Sequence, residues 1–340
     1  MKIGIVGYQG SGKSSLFHWL TGVPPDLSVA HTGQAATVEV PDERIQQLSD
    51  IYQPKKITWA SLNLVDTPGL SHDHEGSAGK LALIREAGCL CIVVGAYSGA
   101  EVEKDLRSFE EDLLIADLDL VNSRVEKLRD SVKRPRPNRD KEIVELEALE
   151  PLLVALESAQ PIHEMELSEE QGRAIKSFQL LTRKPRMIIV NTNDDELPSE
   201  EAVPGHSSPV WRLPITLQLE LGQMELTERN EFCEEMGVSA IERGPVLRAL
   251  MNASHQMLFF TAGEKEVRSW MVAQGATAED AAGSIHTDLA RGFVRAERMS
   301  CEDLFRVGSE REIKAQNLMS KEPRAYVLQE GDILHILSST

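Results

Sequence analysis

Short apolar runs, each followed by small or polar residues, punctuate the first 200 residues of the chain. "KIGIV" precedes a glycine-rich segment, "LNLV" precedes Asp66, "CLCIVV" precedes a glycine, and "RMIIV" precedes Asn191. Continuous apolar runs of this length, bounded by turn residues, are typical of strands buried on both faces of a parallel sheet. The pattern predicts an α/β domain whose polar segments follow the ends of its strands.

A helical pattern takes over after the third run. Apolar side chains recur at spacings of three and four from Val102 to Leu113, and the pattern resumes after a slip from Leu118 to Val132. Such spacing predicts a helix with one continuous apolar seam. The prolines of "KRPRPNR" then end the helix, because proline cannot continue an intrahelical hydrogen-bond ladder.

The chain then returns along a second helical seam, from Leu146 to Leu156. A third helix is expected to start at Ser168, with Gln171 completing a capping box. We interpret residues 101–183 as an inserted α-helical coiled-coil hairpin. A helical extension packed flat on the main domain is the alternative.

The C-terminal segment has mixed character. Strand-like "MLFFTAG" and "VRSWMV" come first, a helix starts at Thr277, and "FVRAERM", "YVL" and "DILHIL" follow. Strand pairs with a helix packed across them predict a small β-grasp α+β unit, which serves as a contact module. The predicted domains are an NTPase domain in two parts, residues 1–100 and 184–256, the insertion 101–183, and the β-grasp domain 257–340.

Composition narrows the choice of function. The chain has 340 residues and a formal net charge of −18, which disfavours broad nonspecific binding to nucleic acid but leaves room for a local basic contact. No apolar stretch approaches the ~20 residues of a membrane span, so we expect a cytoplasmic protein. The four cysteines show no metal-ligand spacing and are interpreted as reduced thiols.

The segment "GYQGSGKSS" carries the first chemical motif. Its spacing, Gly7-x-x-x-x-Gly12-Lys13-Ser14, matches a phosphate-binding P-loop between a strand and a helix. The alternative, an ordinary glycine-rich turn, needs neither the lysine nor the serine. Lys13 is expected to reach the β- and γ-phosphates and Ser14 to ligate Mg²⁺. The predicted nucleotide-binding residues here are Gly10, Ser11, Gly12, Lys13, Ser14 and Ser15.

Two further motifs follow in the order of a switch NTPase. Asp66 and Gly69 belong to an Asp-Thr-Pro-Gly segment, in which the carboxylate would hold the metal through water and the Gly69 amide would meet the γ-phosphate. Asn191 and Asp194 form an N-x-x-D segment that would read the base, although Thr192 replaces the lysine of a guanine-reading motif. Both sequences are also good turn sequences, and their order after the P-loop favours the functional interpretation.

The order of these features resembles the YchF/Obg-like ATPase family across essentially the whole chain. The most similar stretches are "VPDERIQQLSDIYQPKKI", "FFTAGEKEVRSWMVAQGATAEDAAGSIHTDLARGFVRAE" and "YVLQEGDILHI", the last two in what looks like that family's TGS domain. The resemblance implies a Mg²⁺-dependent P-loop NTPase that prefers ATP and associates with ribosomes.

This sequence departs from the family pattern at several positions. The family usually carries Asn where this chain has Gly10, and its base motif usually ends in Glu rather than Asp194, which leaves ATP or GTP open. The first switch, "SVAHTGQAATVEVPD", lacks the familiar Pro-Phe-x-Thr. For the Mg²⁺-binding threonine we favour Thr32, with Thr37 as the second choice because it enters a predicted strand.

The second switch also lacks a usual catalytic group. Leu70 stands where many GTPases place a water-orienting glutamine, as in the family, so hydrolysis is expected to be slow unless a partner or another group of "SHDHEGSAGK" positions the water. The run from His72 through Asp73 and His74 to Glu75 could suggest a metal site. Four adjacent polar residues beside glycines are more typical of a solvated loop.

Two functions of different classes fit the motifs. The favoured one is a slow regulatory NTPase whose nucleotide state changes a helical and β-grasp surface that a ribosome reads. The alternative is a P-loop kinase that uses the insertion as a substrate lid, and a third possibility is a scaffold that binds nucleotide without hydrolysis. The predicted contact with ribosomal RNA is the basic tip of the hairpin, formed by Lys133, Arg134, Arg136, Arg139 and Lys141.

Overall fold

The computed structural model describes residues 1–29, 31–72, 77–97, 101–160, 162, 165–201 and 210–339. Grouped by contacts between its own residues, the chain forms two compact units. The first comprises Met1–Ala36 and Asn63–Ile241, and the second comprises Thr37–Leu62 and Glu242–Thr340. The domain boundaries at residues 100, 183 and 256 stay a prediction.

The structure describes 13 strands and 13 α-helices within these residue ranges. The strands are β1 (Lys2–Val6), β2 (Gln34–Glu39), β3 (Ile57–Thr58), β4 (Ser61–Asp66), β5 (Cys89–Gly95), β6 (Arg186–Asn191), β7 (Ser199–Glu201), β8 (Val210–Leu213), β9 (Gln256–Ala262), β10 (Val267–Ala273), β11 (Phe293–Ser300), β12 (Ser320–Glu322) and β13 (Asp332–Ser338). The helices are α1 (Lys13–Thr21), α2 (Glu43–Tyr52), α3 (Ser77–Arg85), α4 (Val102–Ser131), α5 (Arg139–Glu157), α6 (Glu169–Ile175), α7 (Ile215–Leu221), α8 (Leu226–Met236), α9 (Arg243–Ala253), α10 (Ala278–Ile285), α11 (Thr287–Arg291), α12 (Cys301–Val307) and α13 (Glu310–Ala315).

A seven-stranded sheet of order β2-β4-β1-β5-β6-β8-β7 carries the predicted motifs. The pairs β1–β4, β1–β5, β5–β6 and β6–β8 are parallel. Ile5 of β1 lies opposite Asp66 of β4, and Gly95 of β5 lies opposite Asn191 of β6. The predicted strands therefore end at one edge of the sheet, and the loops that follow them meet there, as in other open α/β sheets.

Helix α4 serves two separate cores in the first unit. Leu106, Phe109 and Leu113 are buried with residues of β1, β5 and β6, whereas Val121 and Leu128 are buried with α5 and α6. The first half of α4 thus packs on the sheet, and its second half pairs with α5 and α6. The flat helical extension describes the first half, and the helical hairpin describes the second. The slip in the seam marks the change of partner.

The hairpin itself is antiparallel and ends in a solvent-exposed tip. Arg124 pairs with Glu145 at 2.7 Å, and Arg129 pairs with Glu150 at 3.0 Å, across α4 and α5. Helix α4 stops at Ser131, before both prolines, as expected from their missing amide hydrogens. The predicted capping box at the start of α6 is confirmed: the Ser168 side chain and the Gln171 side chain each bond the other residue's backbone.

The second unit is built on a six-stranded sheet of order β12-β11-β13-β9-β10-β3. Helix α10 packs its alanines Ala278, Ala281 and Ala282 into a core with Phe259 and Phe293 of the sheet. This is the mixed arrangement of strand pairs and a crossing helix that the sequence predicts. Its helix α2 comes from residues 37–62, between β2 and β4 in the chain. No helix among the described residues is both long and apolar enough to cross a membrane.

Candidate functional site: a nucleotide pocket at the P-loop

The P-loop follows β1 and has positive φ angles, which favour glycine, at three positions. Gly7, Gly10 and Gly12 have φ angles of 144°, 80° and 99°, in a region that side chains with a Cβ rarely enter. A Cβ at Gly7 would lie 2.3 Å from the carbonyl oxygen of Val93, and one at Gly12 would lie 2.3 Å from Nδ2 of Asn191. Close packing against β5 and β6 therefore requires glycine at both positions.

Helix α1 begins directly behind this loop. Gly12 is its N-cap residue, and no side chain caps the helix. The first amide groups of a helix have no intrahelical acceptor, and the helix dipole favours negative charge there. Ser14 and Ser15 lie in this first turn and line the adjoining pocket. The arrangement suits the phosphates of a nucleotide.

The Lys13 ammonium group lies at the centre of the loop and is buried, with 6% of the residue exposed. Its Nζ donates a hydrogen bond to the carbonyl oxygen of Tyr8 at 2.6 Å. Burial lowers the pKa of Lys13 to about 8, against the opposing effect of the Asp66 charge, and Lys80 lowers it further. An ammonium has three donors, so Lys13 retains hydrogen-bonding capacity for an anion that would also stabilise its charge.

Asp66 ends β4 beside the loop. Burial raises the pKa of its carboxyl group, although a hydrogen bond from the Ser14 hydroxyl and the charge of Lys13 act against that shift. Its Oδ1 atom is inaccessible and has no hydrogen-bond partner among the described residues. A buried carboxylate oxygen of this kind, next to a serine hydroxyl, fits the hard oxygen ligands that Mg²⁺ prefers.

Gly69 and Leu70 attach the second switch to the P-loop through the backbone. The Leu70 amide donates to the Gly7 carbonyl at 3.1 Å, and the Gln9 amide donates to the Leu70 carbonyl at 2.9 Å. A Cβ at Gly69 would lie 2.7 Å from Lys13 Nζ and 3.0 Å from the backbone nitrogen of Gln9, so a side chain there would displace the lysine ammonium group. The Leu70 side chain is 1% exposed and packs in the core. The Leu70 side chain therefore has a structural role, at the position where many GTPases carry a glutamine that orients the attacking water.

The first switch is less fully defined. Thr32 is exposed, and its hydroxyl donates to the Val29 carbonyl at 3.3 Å. The next residue, Gly33, lies against β4: a Cβ there would be 3.1 Å from the Asp66 carbonyl oxygen. Thr37 lies within β2 and groups with the second unit. Which of the two threonines would bind the metal stays a prediction, with Thr32 favoured.

Asn191 ties the base segment to the P-loop. Its Nδ2 donates to the Ser11 carbonyl at 3.2 Å, and its Oδ1 accepts from the Ile215 amide at 3.2 Å. Both functions of this 5%-exposed side chain are used within the protein. Asp194, by contrast, is exposed at the pocket wall. Asn191 therefore positions the segment, and Asp194 is the group available to a base.

One pocket of about 430 Å³ joins the P-loop to the base segment, and Ser11, Thr32, Asp66 and Gly69 are not among its lining residues. Residues that sequence reasoning did not select also line it. Tyr97 follows β5 and Thr216 opens α7, both at the strand edge where the motifs meet, which was the available signal. The hydroxyl of the buried Thr192 has no partner within the described residues. The lining residues are Gly10, Gly12, Lys13, Ser14, Ser15, Tyr97, Asn191, Thr192, Asn193, Asp194 and Thr216.

The histidine and acid run of the second switch is described only at its first residue. The His72 ring stacks on the Tyr8 ring with centroids 3.8 Å apart, while Asp73, His74 and Glu75 lie outside the described residues. Within the described ranges, no group of three or more histidine, cysteine or acidic residues could hold a metal ion.

Two protein-family models match parts of this sequence. A family model described as a 50S ribosome-binding GTPase matches residues 2–147. A second model, for the C-terminal region of YchF GTPases and described as a protein of unknown function, matches residues 257–338.

Full-length relatives match both units. The ribosome-binding ATPase YchF of Bacillus subtilis is 32% identical, over 98% of this chain and 97% of its own. The Obg-like ATPase 1 of Oryza sativa subsp. japonica is 31% identical, over 98% of this chain and 91% of its own. The structure of the Schizosaccharomyces pombe YchF GTPase superposes with a TM-score of 0.80 at 27% identity, covering 99% of this chain and 97% of that one. The chain belongs to the YchF family of P-loop NTPases.

Proposed function

We propose that this protein is a slow, Mg²⁺-dependent NTPase that uses ATP and acts as a switch on the ribosome. The observation that carries the proposal is the convergence of the P-loop and the Asn191–Asp194 segment on one pocket, with Asp66 hydrogen-bonded to Ser14 of that pocket. Phosphate, metal and base sites in this order define switch NTPases. The printed names of the bacterial relatives, which are ribosome-binding ATPases, support the same function.

Lys13 and the Gly69 backbone amide are the groups proposed to contact the γ-phosphate. Ser14 and Asp66, with Thr32, would hold Mg²⁺, which when bound supplies positive charge to the β- and γ-phosphate oxygens. Lys13 adds a buried ammonium group at the same loop. Because Leu70 occupies the glutamine position and its side chain lies in the core, that position cannot orient water, and basal turnover is expected to be slow.

Product analysis separates hydrolysis from phosphoryl transfer. Purified protein with Mg²⁺ and γ-labelled ATP should release free phosphate with no acceptor added, and Lys13→Ala should abolish the release. Labelled phosphate that appears only on an added acceptor would support the kinase alternative, for which none of the relatives named above provides support. Nucleotide binding without any turnover would identify a scaffold.

The preference for ATP is proposed from both the family and the pocket. Thr192 replaces the lysine whose stem covers guanine, and its side chain is buried rather than laid over a base. Asp194 favours GTP instead, because its carboxylate could accept the N1–H and amino donors of guanine, which adenine lacks; the family and the missing lysine decide the proposal for ATP. Competition titration of ATP against GTP tests this. A GTP preference of tenfold or more, about 1.4 kcal/mol, would overturn it.

The proposed ribosome contact is the basic tip of the hairpin, which would place the protein in the cytoplasm. All five tip cations are exposed. Lys133 pairs with Asp130 at 2.8 Å and Arg139 donates to the Val132 carbonyl at 2.9 Å. Exposed pairs of this kind are weak, so ribosomal RNA phosphates can replace them.

Co-sedimentation with ribosomes at increasing salt tests the tip. Neutralising Lys133, Arg134, Arg136 and Arg139 together should weaken association and flatten its salt dependence. With fewer phosphate contacts, binding releases fewer counterions from the RNA. An equal number of cations neutralised elsewhere on exposed surface is the control. Unchanged affinity and slope would exclude the tip and leave the second unit as the ribosome contact.

A further inference from the structure

Gln9 occupies a position of the P-loop that the motif leaves open, since any residue can stand between its two fixed glycines. Its side chain is exposed and has no hydrogen-bond partner among the described residues. A carboxamide carries two donor hydrogens and an acceptor oxygen. Gln9 therefore brings unused hydrogen-bonding groups to the loop that is proposed to hold the phosphates.

The backbone of Gln9 is bonded to Leu70, the residue at the usual glutamine position. The Gln9 amide donates to the Leu70 carbonyl at 2.9 Å, and the preceding residue, Tyr8, forms a parallel bridge with Leu70. The side chains of Tyr8 and Leu70 both lie in the core. Successive side chains of an extended segment alternate in direction, and Gln9, the next residue, is exposed instead. The chain thus carries an exposed glutamine directly beside the position that lacks one.

Gln9 also lies next to the groups proposed to contact the γ-phosphate. A Cβ built on Gly69 would lie 3.0 Å from both the nitrogen and the Cα of Gln9, and 2.7 Å from Lys13 Nζ. The start of the Gln9 side chain, the Gly69 backbone and the lysine ammonium group are therefore gathered at one place.

A second cavity, of about 280 Å³, adjoins the nucleotide pocket at Gln9. Gln9 and His72 line it, and Gly10 and Tyr97 line both cavities. A water molecule takes up about 30 Å³ of the liquid, so the cavity has room for water. The buried Ser11 hydroxyl, which has no partner within the described ranges, lines this cavity as well and gives water a second polar contact.

We propose that Gln9 orients the attacking water, so that a glutamine of the P-loop takes the role of the glutamine missing at Leu70. The inference rests on the proposed NTPase function. The carboxamide oxygen of Gln9 would accept a hydrogen bond from the water, and its amide group would donate to a γ-phosphate oxygen.

The reaction is the ordinary hydrolysis of the terminal phosphate. The water oxygen forms a bond to the γ-phosphorus, the bond from that phosphorus to the bridging oxygen of the β-phosphate breaks, and the water proton leaves with the released phosphate. An orienting glutamine without an arginine finger gives only slow hydrolysis in switch NTPases. The role of Gln9 is therefore compatible with slow turnover.

Single-turnover release of phosphate from Mg²⁺-ATP tests this role in Gln9→Ala and Gln9→Met. Methionine has a similar length but no carboxamide, so the second variant separates hydrogen bonding from side-chain volume. Gln223→Ala is the matched control, because Gln223 is an exposed glutamine between α7 and α8 that lines neither cavity. We expect both Gln9 variants to slow hydrolysis at least tenfold, with less than a threefold change in the Kd for ATP. Gln223→Ala should change the rate less than twofold.

The affinity for ADP with Mg²⁺ and aluminium fluoride gives a readout that does not depend on turnover. This complex imitates the transferring phosphoryl group together with its in-line water, so its binding depends on groups that act in the transition state. Gln9→Met should weaken it at least tenfold and leave ATP binding nearly unchanged, whereas a purely structural role would weaken both equally.

Three results would overturn the role of Gln9 and leave the NTPase function in place. They are unchanged hydrolysis in both Gln9 variants, a loss in Gln9→Ala that Gln9→Met does not share, and equal weakening of ATP and of the aluminium fluoride complex. A natural chain that releases no phosphate would overturn the NTPase function and the role of Gln9 together.

Discussion

Asp66 and Asp117 are both carboxylates of the first unit with buried oxygens, yet the chain completes the hydrogen bonds of only one of them. Asp117 is fully buried: Oδ1 accepts from Arg85 Nη1 at 2.6 Å and from the Leu181 amide at 3.0 Å, and Oδ2 accepts from the amide and hydroxyl of Thr182 at 2.8 and 2.9 Å. Asp66 keeps one buried oxygen without a partner among the described residues. The first group joins parts of the fold, and the second is arranged for a ligand.

Asp117 connects α4 to Arg85 of α3 and to Leu181 and Thr182, and we call this hydrogen-bonded cluster the joint. Arg85 ends α3, the helix after the second switch, and also donates to the Ala116 carbonyl of α4 at 2.8 Å. Tyr8 of the P-loop donates to Asp112 of the same helix at 2.9 Å. Helix α4 is thus bonded both to the P-loop and to the switch helix before it enters the hairpin.

The largest expected effect is on stability at the joint. Asp117→Ala should lower the free energy of unfolding by about 3–5 kcal/mol, because it leaves the Arg85 charge and two buried amides without their acceptor. Asp66→Ala should cost less than about 1 kcal/mol without Mg²⁺ and nucleotide, since burial already disfavours the Asp66 charge. Urea unfolding measures the free energy of unfolding of each variant. Hydrogen exchange of the β5 amides provides a second measurement of the same quantity. Equal losses would contradict the comparison.

A smaller effect is expected on binding at the nucleotide pocket. Lys13→Ala should weaken binding of Mg²⁺-ATP by ~1.5–3 kcal/mol, or roughly 10- to 150-fold, because one charge-assisted contact is lost. The fold should persist, as judged by an unchanged urea midpoint, because the lysine charge serves the ligand. Unaltered affinity in a folded variant would exclude the P-loop assignment.

The joint should also show its own dependence on pH. Lys184 donates to the carbonyl oxygens of Arg85 and Ala87, and burial, followed by the Arg85 charge, lowers its pKa. Between that lowered pKa and the unfolded value of about 10.4, the unfolded chain binds more protons, so the free energy of unfolding rises with pH. Lys184→Met should remove this rise relative to the natural chain. If the free energy of unfolding changes with pH in the same way in both proteins, then the pKa of Lys184 does not differ between the folded and unfolded chain.

The smallest expected effect concerns monovalent cations at the nucleotide pocket. Gly10 supplies no side-chain oxygen, and an added Cβ there would meet no atom within 4 Å. A weak K⁺ site beside the phosphates would lack that ligand. ATP hydrolysis in KCl and in NaCl should therefore be nearly equal at the same ionic strength, and Gly10→Asn is the variant in which a K⁺ preference could emerge. Strong activation by K⁺ in the natural chain would contradict this interpretation of Gly10.

The sequence predicted the strands and the order of the motifs because both are local signals. Each motif follows a short apolar run, and parallel strands bring their carboxyl ends to one edge. Gly12 and Gly69 were recognised from spacing alone, but their close approaches to Asn191 and Lys13 come from the tertiary structure. Tyr97 was missed because a single aromatic residue after a strand has no motif around it.

The partner of an amphipathic helix could not be predicted in the same way. Helix α4 has one helical period throughout, whether it faces a sheet or another helix, and only the slip between Leu113 and Leu118 marks the change. Helix α2 shows the same limit: its pattern gives a helix, and the contacts then group it with the second unit.

We propose that the Asp66 oxygen without a hydrogen-bond partner contributes to a Mg²⁺ site beside a bound triphosphate. Calorimetric titration of ATP, in EDTA and in saturating Mg²⁺, compares the natural chain with Asp66→Asn. Mg²⁺ should strengthen binding at least tenfold in the natural chain, about 1.4 kcal/mol, and Asp66→Asn should lose most of this gain while its metal-free affinity is unchanged or higher. An equal gain from Mg²⁺ in both proteins would contradict it.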